Sequence, residues 1–318
     1  MWAAMVGRTT MSPDVDSSRA TLRTLLYTAL AGVVIWRWHA THPPASPPPP
    51  SSVARFAQCD GSSPVLVGTH HKSGTVLLTH LLRDACRALR WTCVFNHDGG
   101  RHCASASEAR ALGARICFLQ HGIRFQGLAA APPGAEAEAY RFVHAVRDPL
   151  ELVLSGYSYH LRTTERWANR PERRWNGTTY RRYLNALPLE AGLLAEMRHS
   201  ARDNLKTMPR LHARVGARPC TLTLRFEDFS RDWEGTLSSL WALLGVREAA
   251  QLAALARVSE KHNVYRHNTT RGRHVSSTSS DRRTAMRQLL RRNRDAIARI
   301  REVRRQIGYP RVGQEGSA

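Results

Sequence analysis

The residues best suited to chemistry in this 318-residue chain stand in two stretches, each placed where an apolar run gives way to a helical pattern. The first is Thr69-His70-His71-Lys72-Ser73-Gly74-Thr75-Val76, directly behind the apolar run Pro64 to Gly68. A strand that turns straight into a helix leaves the helix's first N–H groups pointing outward without partners, which is a seat for an anion. Lys72 adds a positive charge, Gly74 lets the backbone come close, and Ser73 and Thr75 add hydroxyls that can donate or cap. The pattern G-x-x-x-x-G-K-[ST] of nucleoside triphosphatases is absent, because Lys72 precedes Gly74 rather than following a glycine. The chemistry on offer is phosphate or sulfate binding, without the wrap a triphosphate needs.

The second stretch begins where the run Arg141 to Val146 meets Arg147-Asp148-Pro149 and the helical pattern Leu150 to Leu161. Proline suits the first turn of a helix and aspartate its cap. Arg147 and Ser155, eight apart, fall a little over two turns from one another, so the serine can share the helix side that turns toward the arginine. A planar guanidinium and a hydroxyl suit a second phosphate group.

The elements that must hold these stretches can be read from periodicity. Short apolar runs bounded by turns predict strands at Pro64 to Gly68, Ile116 to Gln120, Arg141 to Val146 and Cys220 to Leu224. Helical patterns follow the first, at Val76 to Leu89, and the third, at Leu150 to Leu161. Alternation of this kind predicts an α/β fold in three layers, a mostly parallel central sheet flanked by helices and of the P-loop nucleotide-binding type, with ligands at the carboxyl ends of the strands. Near the C-terminus, Arg282 to Ile307 predicts an amphipathic helix or helix pair, its many arginines reading first as a solvated face.

On these residues the chain resembles the PAPS-dependent sulfotransferases, in their membrane-bound lumenal form. Lys72-Ser73-Gly74-Thr75 is similar to the family's 5′-phosphosulfate loop, usually P-K-[ST]-G-T, with His71 in the prolyl position. The segment from Val146 to His160 is similar to its 3′-phosphate motif, an Arg-[DN]-Pro strand end with a serine eight residues on. The resemblance implies that Lys72, Ser73, Gly74, Thr75 and Val76 cradle the phosphosulfate of 3′-phosphoadenosine-5′-phosphosulfate (PAPS), and that Arg147 and Ser155 hold its 3′-phosphate. It also implies catalytic roles for Lys72 and for His121, which follows the run Ile116 to Gln120 as the histidine does in cytosolic relatives. An imidazole is a natural base near neutral pH; His70, His71 and Glu151 are the alternatives. Arg225-Phe226-Glu227-Asp228-Phe229 resembles the family's segment near the nucleotide, with Phe226 for the usual tyrosine. Thr270-Arg271-Gly272-Arg273-His274 resembles the loop that closes over the nucleotide, which gives Arg271, Gly272 and Arg273 as further binding residues or, equally, a solvated basic loop. Ile307-Gly308-Tyr309-Pro310 resembles the domain's end. The implied activity is transfer of a sulfonate group from PAPS to a hydroxyl or amine, on a carbohydrate above all, with no metal. A nucleotide kinase and a non-catalytic, membrane-tethered binder of acidic glycans are the rival readings.

The charge agrees with an anionic partner: 47 Lys and Arg against 25 Asp and Glu give +22. The basic residues are spread through apolar helix patterns without a compact arm, which argues against nucleic acid and leaves a nucleotide, an acidic glycan or a membrane surface. The six cysteines show no zinc spacing. In an oxidising compartment they can form disulfides whose pairing the sequence leaves open, and Cys117 and Cys220 sit in apolar runs that suit buried thiols as well.

The N-terminal region divides by composition. Residues 1–23 form a tail, and 24–38 hold the uncharged segment Thr24 to Trp36, shorter than a full span, which reads as a membrane anchor or a signal-peptide core. Residues 39–60 are a proline-rich stem, 61–312 the catalytic domain and 313–318 a tail. Sequons at Asn176 and Asn268 would put the domain on the lumenal side. A single-pass type II protein of the Golgi membrane is the expected arrangement.

Overall fold

The computed structural model describes residues 55–96, 103, 105–119, 140–267 and 278–310. The anchor segment, the stem up to 54, His121, Asn268 and the loop with Arg271, Gly272 and Arg273 lie outside them. Among the described residues no helix is long and apolar enough to cross a membrane.

Five strands form one sheet in which every pairing is parallel: β1 (Val65–Gly68), β2 (Cys93–Phe95), β3 (Ile116–Leu119), β4 (Arg141–Val146) and β5 (Thr221–Arg225), in the order β2-β3-β1-β4-β5. β1 lies between β3 and β4, with Val65 level with both Ile116 and Arg141. All four residues of β1 are buried, as a central parallel strand covered on both faces requires, and this is why it reads as an unbroken apolar run.

Strand alternation then builds two cores. Val65, Val67, Phe118, Val143 and Ala145 face a layer made by α1 (Thr75–Ala88) and the later helices α8 (Trp233–Leu243) and α9 (Ala249–Glu260). Leu66, Cys117, Leu119 and Phe142 face the opposite layer, with α2 (Ala106–Ala111) and the end of α6 (Ser200–Val215). Beyond the tip of β4 a further cluster joins α3 (Pro149–His160), α4 (Tyr180–Ala186), α5 (Leu189–Arg198), α6, α11 (Ser280–Arg292) and α12 (Arg294–Gln306) around Val153, Leu193, Leu205, Leu290 and Ile300. The three-layer α/β fold expected from the strand and helix alternation is therefore the observed one. Two short helices, α7 (Asp228–Arg231) and α10 (Val264–His267), complete the set among the described residues.

Departures are local. β2 is three residues long at the sheet edge, too short for periodicity to reveal. The C-terminal pattern is a helix pair broken at Asn293, whose side chain accepts the Ala296 N–H and starts α12. Its arginines are not all solvated: Arg304 is buried and pairs with Asp148, and Arg283 and Arg287 pair with Glu151. All six cysteines are paired, as Cys59–Cys220, Cys86–Cys93 and Cys103–Cys117, so neither Cys117 nor Cys220 is a free thiol.

Candidate active site

The first anion stretch forms a tight loop at the end of β1. Ser73 Oγ accepts the His70 N–H at 2.8 Å and donates to the His70 carbonyl at 2.8 Å. Thr75 Oγ1 reaches Thr69 Oγ1 at 3.0 Å and the His70 carbonyl at 3.1 Å. Both hydroxyls are buried and brace the loop from within. Lys72 and Gly74 take positive φ values of 67° and 95°, and the Ser73 N–H between them closes the turn onto the His70 carbonyl at 3.0 Å. Gly74 caps α1 without a side-chain bond, and Val76 in the first turn is exposed, so the helix start keeps its outward N–H groups. A Cβ on Gly74 would lie 2.7 Å from Cδ2 of Phe226, which closes the loop from the β5 side.

The second stretch meets the first directly. Arg147, at the tip of β4, donates from Nη1 to the Lys72 carbonyl at 2.9 Å, and its guanidinium lies 4.6 Å from the Phe226 ring centroid. Parallel pairing of β1 and β4 puts their carboxyl ends side by side, which is why two stretches so far apart in sequence touch. Asp148 caps α3 by accepting the N–H groups of Leu150 and Glu151, and its other oxygen meets Arg304 Nη1 at 2.8 Å. Burial pushes the Asp148 carboxyl up, opposed by the Arg304 charge. Ser155 is buried two turns along α3.

The remaining family-like segments pack around this junction. Glu227 accepts the Asp148 backbone N–H at 3.1 Å and the Tyr309 hydroxyl at 2.7 Å, so the segment after β5 and the chain's Ile307 to Pro310 end are both tied to the Arg-Asp-Pro turn. Phe226 gives a ring face to Arg147 where a tyrosine would add a hydroxyl.

Lys72 stretches over the Tyr159 ring, its Nζ 3.8 Å from the centroid. Burial, then the nearby Arg147 charge, push its ammonium down to about 8, against the smaller pull of Glu165 and Glu196. Burial likewise lowers the Arg147 guanidinium, which stays charged in the physiological range. Both cations are held in partly dry surroundings, where an arriving anion gains more than it would in water.

The alternatives for a base separate cleanly. Burial would raise the Glu151 carboxyl, but hydrogen bonds from Arg287 and Arg283 hold it below its ordinary value, so it serves as an anchor for those arginines. His70 is buried and its Nε2 meets Nε2 of the buried His144 at 3.0 Å in the core. His71 stands at the loop's edge: its N–H donates to Asn204 Oδ1 at 3.1 Å, and its Nε2 is 3.3 Å from Nε2 of His160. His160 in turn bonds through Nδ1 to Glu196 Oε2 at 2.9 Å, where the Tyr180 hydroxyl also donates at 2.8 Å. None of His160, Glu196, Asn204 or Tyr180 is visible as a site residue in the sequence. Glycine at 156 makes room for the acid, since a Cβ there would lie 2.4 Å from Glu196 Oε1.

Of the residues picked from the sequence, Lys72, Ser73, Gly74, Thr75, Val76 and Arg147 come together at one junction, and Ser155 is buried further along α3. Among the described residues no cluster of three or more His, Cys, Asp or Glu could hold a metal ion. Fold and junction define a three-layer α/β domain built on a five-stranded, all-parallel sheet. Among solved structures, the crystal structure of mouse sulfotransferase SULT7A1 complexed with PAP is similar to it over 76% of this chain and 88% of that one, at 15% sequence identity and a TM-score of 0.39. No protein-family model matches the chain, and neither does any curated protein.

Proposed function

We propose that the protein is a sulfotransferase that moves a sulfonate group from PAPS to a hydroxyl or amine, most suitably on a carbohydrate. One observation carries the reading: the Arg147 guanidinium bonds to the Lys72 carbonyl, so a loop fitted to one anion and an arginine fitted to another share a single junction. A nucleotide with anionic groups at both its 5′ and 3′ ends needs such a pair. The fit is supported by Gly74, whose missing side chain lets the loop pack against the Phe226 ring, and by the uncapped start of α1.

In this reading the Lys72 loop binds the 5′-phosphosulfate and Arg147, with Ser155, the 3′-phosphate. Lys72 neutralises charge that grows on the leaving oxygen during in-line displacement at sulfur, and Phe226 and Tyr159 keep water from the two cations. Arg271, Gly272 and Arg273 are proposed to close over the nucleotide. A base takes the acceptor's proton, and the resemblance offers His121 for it.

Lumenal placement, behind a Golgi membrane anchor at 24–38, is part of the proposal. It is supported by three disulfides, which persist in oxidising compartments, and by Asn176, exposed in a turn at the head of its sequon. The excess of basic residues suits an acidic glycan as acceptor.

The test is transfer of radiolabelled sulfonate from PAPS to a panel of unsulfated and partly sulfated glycans, beside calorimetric binding of PAP. Tight PAP binding with label appearing on a glycan is the expected result. Failure to bind PAP at all would sink the reading.

A further inference from the structure

Two buried side chains and the half-buried His71 form a chain that ends at the phosphate loop and has no part in binding the nucleotide as described above. Glu196 is 1% exposed and His160 fully buried, and they meet at 2.9 Å through Nδ1 of the imidazole. His160 then reaches His71 through the two Nε2 atoms at 3.3 Å, with the rings stacked 5.2 Å apart and 12° from parallel. His71 precedes Lys72, whose ammonium sits over Tyr159, a ring that also packs edge-on against His71 at 6.1 Å.

We infer that His71, oriented by His160 and Glu196, is the general base that takes the acceptor's proton in the reaction proposed above. The inference rests on that reading of the site.

The tautomers follow from the carboxylate. Glu196 accepts, so His160 carries its proton on Nδ1 and offers a lone pair at Nε2. His71 must then donate from Nε2, which makes its Nδ1 an acceptor. A histidine oriented in this way by a buried acid is the logic of a catalytic triad, with a second imidazole inserted. As the acceptor oxygen bonds to sulfur and the bond from sulfur to the 5′-phosphate oxygen breaks, the electron pair leaves with the nucleotide beside Lys72. The acceptor proton passes to His71, and the new cation is stabilised through His160 by the Glu196 charge.

The groups around His71 are compatible with this. Asn204 on α6 fixes its backbone, Tyr159 and His160 on α3 flank its ring, and Glu196 comes from α5. Lys72 follows it in the chain and Arg147 bonds to the Lys72 carbonyl, so both cations belong to the same loop. A proline in the same place could neither donate to Asn204 nor carry a proton.

Two arms test it. Nitrogen-15 spectra of histidine-labelled protein, with the His71 signals found by their loss in His71→Gln, should show His71 as the Nε2–H tautomer, disturbed in Glu196→Gln; an Nδ1–H tautomer for His71 overturns the inference without any need for an acceptor. In turnover with PAPS and the best glycan of the panel, His71→Gln should lower kcat about 100-fold or more with PAP affinity and the KM for PAPS unchanged. Glu196→Gln should lower kcat by about tenfold and shift the acid limb of the pH profile. His71→Gln with kcat near wild type, or His121→Ala reproducing the whole loss while His71→Gln does not, overturns it as well. A wild-type chain that binds no PAP refutes the proposed function instead, and the relay falls with it.

Discussion

Lys72 is a largely desolvated cation in the folded chain and, in the proposed function, the partner of an anion, and those demands pull stability and activity in opposite directions. Its ammonium is pushed from 10.5 to about 8 by burial and by Arg147. At about 1.4 kcal/mol for each tenfold in proton affinity, the charge is roughly 3 kcal/mol less favourable in the folded chain than in the unfolded one. Lys72→Met keeps an unbranched stem over the Tyr159 ring and removes the charge, losing about 1 kcal/mol of attraction between cation and ring. The variant should therefore be more stable by about 2 kcal/mol near pH 7, a rise of roughly 4–8 °C in Tm for a domain of this size. Unfolded Lys72 keeps its proton up to 10.5, whereas the folded residue releases it near 8. Between those values the unfolded state binds more protons, so wild-type stability climbs with pH. The advantage of methionine is thus complete below pH 8 and fades as pH approaches 10.5. Urea denaturation of both proteins at pH 7 and pH 9.5, with disulfides intact, measures this, and PAPS turnover should fall by about 100-fold or more in parallel. A variant less stable than wild type at pH 7, or a difference that ignores pH, would show that the charge is not the strained element of the loop.

Other outcomes follow from the same geometry. Arg147→Ala should weaken PAP about 10- to 100-fold while changing affinity for adenosine 5′-phosphosulfate, which lacks the 3′-phosphate, much less; calorimetry with both nucleotides decides it. Gly74→Ala puts a side chain at φ 95° and 2.7 Å from Phe226, so PAP binding should be lost with little change in circular dichroism. Turnover should decline above pH 8 as Lys72 loses its proton, and a profile flat to pH 9.5 would remove Lys72 from catalysis. Expressed through the secretory pathway, the protein should carry a glycan at Asn176 that Asn176→Gln abolishes on a gel-shift assay with a deglycosylating enzyme.

Much of the fold was legible because buried parallel strands have no solvent face and so leave unbroken apolar runs: β1, β3, β4 and β5 all fall within one residue of their expected ends. β2 escaped for want of length. The helices from 180 to 260 escaped as well, although α6 carries a clear stripe in Ala201, Leu205, Met208, Leu211 and Val215, with Pro209 set inside it. The site was legible only where chemistry is local. Lys72 to Val76 and Arg147 to Pro149 each combine a charge, a special backbone residue and a helix start within a few positions. The pairing of Glu151 with Arg283 and Arg287, and of Asp148 with Arg304, joins residues more than a hundred positions apart and leaves no local trace.

The amino-acid order by itself determined the two strand-to-helix turns, the parallel α/β alternation and the basic character of the chain, because helix starts, strand burial and net charge depend on near neighbours or on simple sums. Tertiary structure alone decided that Arg147 reaches the Lys72 carbonyl, that the cysteines pair as they do, that Glu151 is tied up by Arg283 and Arg287, and that His71 stands at the end of a chain through His160 to Glu196. Each of those is a contact between distant segments, and whether a side chain is a base, an anchor or a core residue depends on what the packed fold puts within about 3 Å of it.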